Sequence, residues 1–230
     1  MDTEPIRAGY DHMWAVGKVD LAKGIIDVDP VPDASTKRWG VSAILRMPLT
    51  FGKGLQPLID TLTSLTSPGH TVYDPTTLHI TLRSIEFFRD DISESDPALT
   101  TYSRLLRELV PSFSGLGLQF AGLSANRVGI ILQGYPVDGE LQSLRQQFHH
   151  RLAEAGLHQG PEQQSPRLNA HASLVVFGGP LGNASALVEY VANNRRTSYG
   201  QIEVTGVDLV RYHRGERSIR IETLERISFG

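Results

Sequence analysis

The sequence predicts an α+β fold of two pseudo-symmetric lobes, each an antiparallel sheet with helices on its outer face, arranged around a central groove. Three observations carry this expectation. Two five-residue stretches, Leu78-His79-Ile80-Thr81-Leu82 and Ala170-His171-Ala172-Ser173-Leu174, repeat one pattern of apolar residue, histidine, apolar residue, hydroxyl and apolar residue. Each is followed by a helical stripe and then a pair of strand-like segments at nearly equal distances, 39 residues from His79 to Leu118 and 36 from His171 to Val207. Short connections between the paired segments fit hairpins, which makes those neighbours antiparallel.

Residues 1–37 carry Pro5, Pro30 and Pro32 among mixed charges. They read as an N-terminal extension, with a small hairpin across Val16–Ile26, that wraps the domain or frays. Residues 38–230 then form the bilobal domain. Trp39–Met47 is the first strand, and Leu55, Leu58, Ile59, Leu62 and Leu65 mark a helix over Gly54–Thr66 that Ser67-Pro68-Gly69 stops. Thr77–Phe87 is the first histidine strand, followed by the acidic turn Arg89–Pro97 and a helix over Ala98–Leu109. Leu116–Leu123 and Arg127–Gln133 alternate as strands about Ser124-Ala125-Asn126. Asp138 is placed to cap a helix carrying Leu141, Leu144, Phe148 and Leu152, and Gly156 ends it. After the polar loop Gly160–Pro166 come the second histidine strand, Arg167–Phe177, a helix over Ala184–Asn193, and strands near Gln201–Tyr212 and Ser218–Leu224.

Composition narrows the function classes. Hydrophobic residues are 40% and charged residues 20% of 230, which is globular usage rather than disorder. A formal net charge of −3 argues against charge-driven attachment to duplex DNA or an anionic membrane. Without cysteine there is no disulfide framework, thiolate zinc site or cysteine nucleophile. Neither a signal peptide nor a long apolar run is evident, so the expected setting is cytoplasmic, and a monomer is expected.

The side-chain period of a strand puts Thr77, His79, Thr81 and Arg83 on one face of the first stretch, and Asn169, His171, Ser173 and Val175 on one face of the second. Ile80, Leu82, Ala172 and Leu174 then point into the lobes and fix the register. Histidine titrates near pH ~6.5, so the pair is expected to hold one neutral and one protonated member. The neutral ring can take a proton from water while the imidazolium protonates a departing oxygen. The hydroxyls of Thr81 and Ser173 can donate to the non-bridging oxygens of a phosphate between them, with no metal or cofactor. A histidine followed by such a hydroxyl arises by chance about once in twenty histidines, so it is the pairing that carries weight. Arg83 is a candidate to neutralise phosphate, and Thr77 and Asn169 to orient the histidines or touch substrate. Arg211, Arg214 and Arg217 make a modest basic patch at the last hairpin, for which a solvated hairpin is the plainer account. His12, His70, His149, His150, His158 and His213 lack the hydroxyl and are set aside as surface or structural.

At the two histidine strands the chain resembles the 2H phosphoesterase superfamily, whose signature is a pair of apolar-His-apolar-Thr/Ser-apolar strands in two pseudo-symmetric lobes. The resemblance spans roughly residues 38–225 and implies that His79, Thr81, His171 and Ser173 are the catalytic set. It places Tyr212 where the family tends to carry an aromatic or apolar residue beside the groove, suited to stacking on a base. The implied activity is metal-independent hydrolysis of a 2′,3′-cyclic phosphate or a 2′-linked phosphodiester on a nucleotide or RNA end. A nucleotide- or RNA-end-binding module without turnover, and a hydrolase of another ester, are compatible with the same residues.

Overall fold

Along the chain, a computed structural model shows α1 (Glu4–Ala22), β1 (Ser42–Arg46), α2 (Leu49–Gly54), α3 (Gln56–Thr66), β2 (Thr71–Val72), β3 (His79–Ser84) and α4 (Pro97–Leu109). There follow β4 (Leu116–Asn126), β5 (Gly129–Pro136), α5 (Glu140–Glu154), β6 (Ala172–Val176), α6 (Ala184–Asn193), β7 (Ser198–Val204), β8 (Gly206–Arg214) and β9 (Ile219–Ser228). The structure describes residues 3–66, 68–93, 95–157 and 160–230. Ser67 of the expected helix stop, Glu94 of the expected acidic turn and His158 lie outside the described residues, as do Met1 and Asp2 of the extension.

The strands hydrogen-bond in the order β7-β4-β5-β6-β3-β1-β8-β9, with β2 beside β6, and every pairing among the described residues is antiparallel. The expected α+β fold is thus present, as two four-stranded halves that meet where β6 lies against β3. The strand pair that follows each histidine strand crosses to the other half. The β4–β5 hairpin lies beside β6, and β8–β9 lie beside β1. Neither half is therefore a contiguous piece of chain. Helices α4 and α5 pack against the β3 half, α1 and α6 against β4, and one continuous apolar cluster runs beneath both.

Several boundaries differ from expectation for local reasons. The hairpin turn after β4 falls at Arg127-Val128, because Asn126 Oδ1 accepts from the amides of Val128 at 2.9 Å and Gly129 at 3.2 Å and so closes the turn later than Ser124. The helix expected over 54–66 is present as α3, with the short α2 before it an addition, and the C-terminal pair of strands is three, since Thr205 separates β7 from β8. Asp96 caps α4 through the amides of Ala98 and Leu99, while Asp138 accepts from Glu140 one position outside the α5 cap residue. Among the described residues no helix is long and apolar enough to cross a membrane.

The largest correction is at the N-terminus, where α1 replaces the expected hairpin across Val16–Ile26. Its buried stripe is narrow, Ile6, Tyr10, Gly17 and Leu21, while Val16 and Val19 face outward. Counting apolar residues therefore hid the helical period. Pro5 sits in the first turn, where a missing amide costs nothing, so it starts the helix rather than breaking it. The Tyr10 hydroxyl donates to the Gly134 carbonyl at 3.1 Å, and Ser124 Oγ donates to the Tyr10 carbonyl at 3.2 Å. At Gly17 the helix lies so close to β4 that a Cβ would stand 2.3 Å from the Ala125 carbonyl oxygen. Gly17→Ala is expected to lower stability by roughly 1–3 kcal/mol through overpacking, although in an isolated helix it would add about 1 kcal/mol. Urea unfolding of the two proteins distinguishes the signs.

Candidate active site

Alternation along β3 and β6 does what the period of 2 requires. Leu78, Ile80, Leu82, Ala170, Ala172 and Leu174 are buried in the main apolar cluster. His79, Thr81, His171 and Ser173 face the other way and line one cavity of about 220 Å³. The two strands share one ladder pair, Ile80 with Ala172, and antiparallel register then sets His79 across from Ser173 and Thr81 across from His171. Each histidine thus stands opposite the hydroxyl of the other strand.

Both rings are held in one tautomer. His79 Nδ1 donates to the Thr77 carbonyl at 2.8 Å, and His171 Nδ1 donates to Asn169 Oδ1 at 3.1 Å. With Nδ1 committed as donor, the neutral ring keeps its lone pair on Nε2. His79 Nε2 accepts from the Tyr212 hydroxyl at 3.2 Å. Burial pushes the Tyr212 phenol up to about 12, so it stays a donor at neutral pH.

The expectation of one charged and one neutral histidine changes for the protein alone. Desolvation brings His79 down to about 4, with Arg46 and Arg167 adding to it against the Thr77 carbonyl. Desolvation brings His171 to about 3, reinforced by Arg167, Arg145, His79 and Arg38. At neutral pH both rings are therefore uncharged.

The other expected residues divide. Asn169 orients His171 through its side chain; Thr77 holds His79 through its backbone carbonyl, its own hydroxyl donating to the Asp74 carbonyl at 3.1 Å. Tyr212 lines the cavity, its ring against the edge of Trp39 with centroids 5.6 Å apart. Arg83 does not reach it. Between Ala43 and Ile44 of β1 the register slips, so that these adjacent residues face Arg83 and Thr81, leaving Leu82 as an extra residue on β3. The bulge turns Arg83 inward, 2% exposed, where Nη1 donates to His149 Nδ1 at 2.6 Å, and puts Ser84 on the cavity instead. His149, set aside as surface or structural, thus anchors the bulge.

Residues not singled out from the sequence complete the wall. Arg167 is the chief one: its Nη2 donates to Ser84 Oγ at 3.2 Å and its Nε to Glu162 Oε1 at 2.7 Å. The period of 2 that selected Asn169 and His171 runs back to Arg167, so a signal for it existed. Ser42, Tyr73, Arg38 and Trp39 also line the cavity and had no motif. Trp39 has φ 67, a left-handed conformation strained for so large a side chain, and its Nε1 donates to Asp29 Oδ2 at 2.9 Å. Asp29 also accepts from Arg38 at 3.1 Å, so the segment before β1 braces the site. In the basic patch Arg211 pairs with Glu222 at 2.8 Å and Arg214 with Asp29 at 3.8 Å.

No protein-family model matches the chain, and no curated protein sequence does. Solved structures share its fold. The crystal structure of TT0787 of Thermus thermophilus matches with TM-score 0.63 at 16% identity, covering 82% of this chain and 97% of that one. E. coli LigT complexed with 3′-AMP matches with TM-score 0.55 at 14% identity over 83% of this chain and 98% of its own. A crystal structure described as a phosphoesterase matches with TM-score 0.52 at 16% identity, over 83% and 98%.

The depressed histidines carry a stability consequence. Below their unfolded value of ~6.5 the unfolded chain takes up protons that the folded site refuses, so the stability they contribute is full above pH ~6.5 and falls as pH drops toward about 4. Denaturant titrations across pH 4–7 are expected to show that slope, flattened in the double variant His79→Gln, His171→Gln, and reduced in the wild type when inorganic phosphate is added.

Proposed function

We propose that the chain is a two-histidine phosphoesterase of the 2H type, hydrolysing a 2′,3′-cyclic phosphate or a 2′-linked phosphodiester of a nucleotide or RNA end. One observation carries the reading: two imidazoles with Nδ1 tied down, so that the neutral rings keep their lone pairs on Nε2, line one small cavity, each opposite a hydroxyl. An α+β fold shared with LigT and a phosphoesterase supports it, as do LigT complexes with phosphate and with 3′-AMP.

The electrostatics fit an anion that switches the site on. A phosphate charge about 4 Å from an imidazole is worth roughly 4 kcal/mol at an effective dielectric near 20, or about three pH units. That is enough to restore one histidine to an imidazolium near neutral pH while the other stays a base. Water then attacks phosphorus as its proton passes to the neutral ring; the bond to the leaving ribose oxygen breaks as the imidazolium gives that oxygen its proton, and a monoester results. Thr81 and Ser173 donate to the non-bridging oxygens, and Arg167 offsets their charge. Acid and base are both imidazoles, so the scheme places no metal in the reaction.

His79→Ala and His171→Ala are each expected to lower kcat/KM on 2′,3′-cyclic nucleotides by about 10³-fold or more, with thermal unfolding little changed, while Thr81→Ala and Ser173→Ala cost about 10–100-fold. Turnover should survive EDTA and follow a bell in pH. Hydrolysis undiminished in the double histidine variant sinks the reading. Tight binding of a cyclic nucleotide with no turnover of a broad phosphodiester panel points instead to a binding module.

A further inference from the structure

The strands that carry the two histidines share too little ladder to set their own spacing. They pair at Ile80 with Ala172, after which β6 turns to β2 through Val175 and Val176. On the other side of that pair, the backbone of β3 and the chain leading into β6 meet the guanidinium of Arg145, from α5. Arg145 Nη2 donates to the Thr81 carbonyl at 2.8 Å and Nε to the Leu82 carbonyl at 3.2 Å. Its Nη1 donates to the carbonyls of Arg167 at 3.1 Å and Leu168 at 3.4 Å. One rigid, planar group thus takes the place of ladder amides on both sides of the gap.

The side chain is 0% exposed, and among the described residues no carboxylate hydrogen-bonds to it. Burying a cation against carbonyls alone costs stability that an apolar side chain of similar volume would not. Packing therefore does not account for an arginine here, whereas a fixed fork between two strands does. Neighbouring contacts on the same helix agree, since His149, one turn on, receives Arg83 at the bulge of β3. The charged and titratable groups facing His171 are Arg167, Arg145, His79 and Arg38, and those facing Arg145 are Arg167, Glu162 and Tyr10.

We propose that Arg145 is the positioning residue of the site: it fixes the gap between β3 and the approach to β6, hence the separation of the two histidines, and stands as a fixed positive charge behind His171. This rests on the reading of the histidine pair as acid and base. Arg145 touches neither substrate nor reacting atoms and acts through Thr81 and through the chain that delivers Asn169 and His171.

Two variants of the full chain separate its geometry from its charge. Arg145→Lys keeps the charge and loses the fork: kcat on a 2′,3′-cyclic nucleotide is expected to fall about 10–100-fold with KM little changed and both limbs of the pH profile unmoved. Arg145→Gln loses the charge as well, and the limb set by His171 is expected to move up by about half to one pH unit. A folded Arg145→Gln with wild-type kcat and an unmoved limb overturns the proposal, as does loss of thermal stability alone. Should both variants fail to fold, 15N NMR of the wild-type Arg145 guanidinium decides: Nε and Nη protons in slow exchange with solvent on a group that does not rotate freely are expected, and a freely rotating, fast-exchanging guanidinium overturns the fork. Should the wild type hydrolyse no phosphodiester, the functional reading fails by itself. Affinity for inorganic phosphate then tests Arg145, with about a tenfold loss in Arg145→Lys expected and unchanged affinity overturning it.

Discussion

The pairing of Ile80 with Ala172 is the contact on which the site depends, because it is where the two halves of the sheet are joined. It fixes registry in two directions at once. Along each strand, burial of alternate apolar residues prevents a one-residue slip that would turn the histidines into the core. Across the strands, the same pair sets each histidine against the opposite hydroxyl. A longer shared ladder would close the strands to ordinary sheet spacing. Here β2 takes over on one side and the Arg145 guanidinium on the other.

Charge in the cavity is set chiefly by its arginines. Arg167 and Arg38 line it, and the same positive field, added to desolvation, keeps both imidazoles neutral. On the proposed reading, an anion would reverse that balance on arrival, making ligand entry and formation of the general acid one event. Glu162 and Asp29 hold the two arginines in place from behind. Trp39, at φ 67 and bonded to Asp29, connects this bracing to Tyr212 and through it to His79.

The sequence was most legible where one periodicity acted alone. Period 2 in β3 and β6 identified both histidines and both hydroxyls, and would have reached Arg167 had it been followed four residues back. Arg83 escaped because the bulge at Leu82 depends on how β1 pairs with β3, a long-range register that no local pattern encodes. Helix α1 escaped because its buried stripe includes a glycine and a tyrosine while two valines face solvent. Arg145 had no signal at all, since an arginine on an amphipathic helix ordinarily faces water. The exchange of strand pairs between halves was hidden for the same reason as the bulge: element order along the chain does not state which edges meet.

That exchange bears on how the molecule comes into being. β5 is completed by β6, and β1 by β8, so each half waits for strands made late in the chain. During synthesis the β4–β5 hairpin leaves the ribosome with a long apolar edge unpaired, and β3 has its β1 neighbour but no partner on its other side. Such a nascent chain is expected to fold late and cooperatively, through contacts of high sequence separation, and to depend on protection from edge-to-edge association until the second histidine strand is in place.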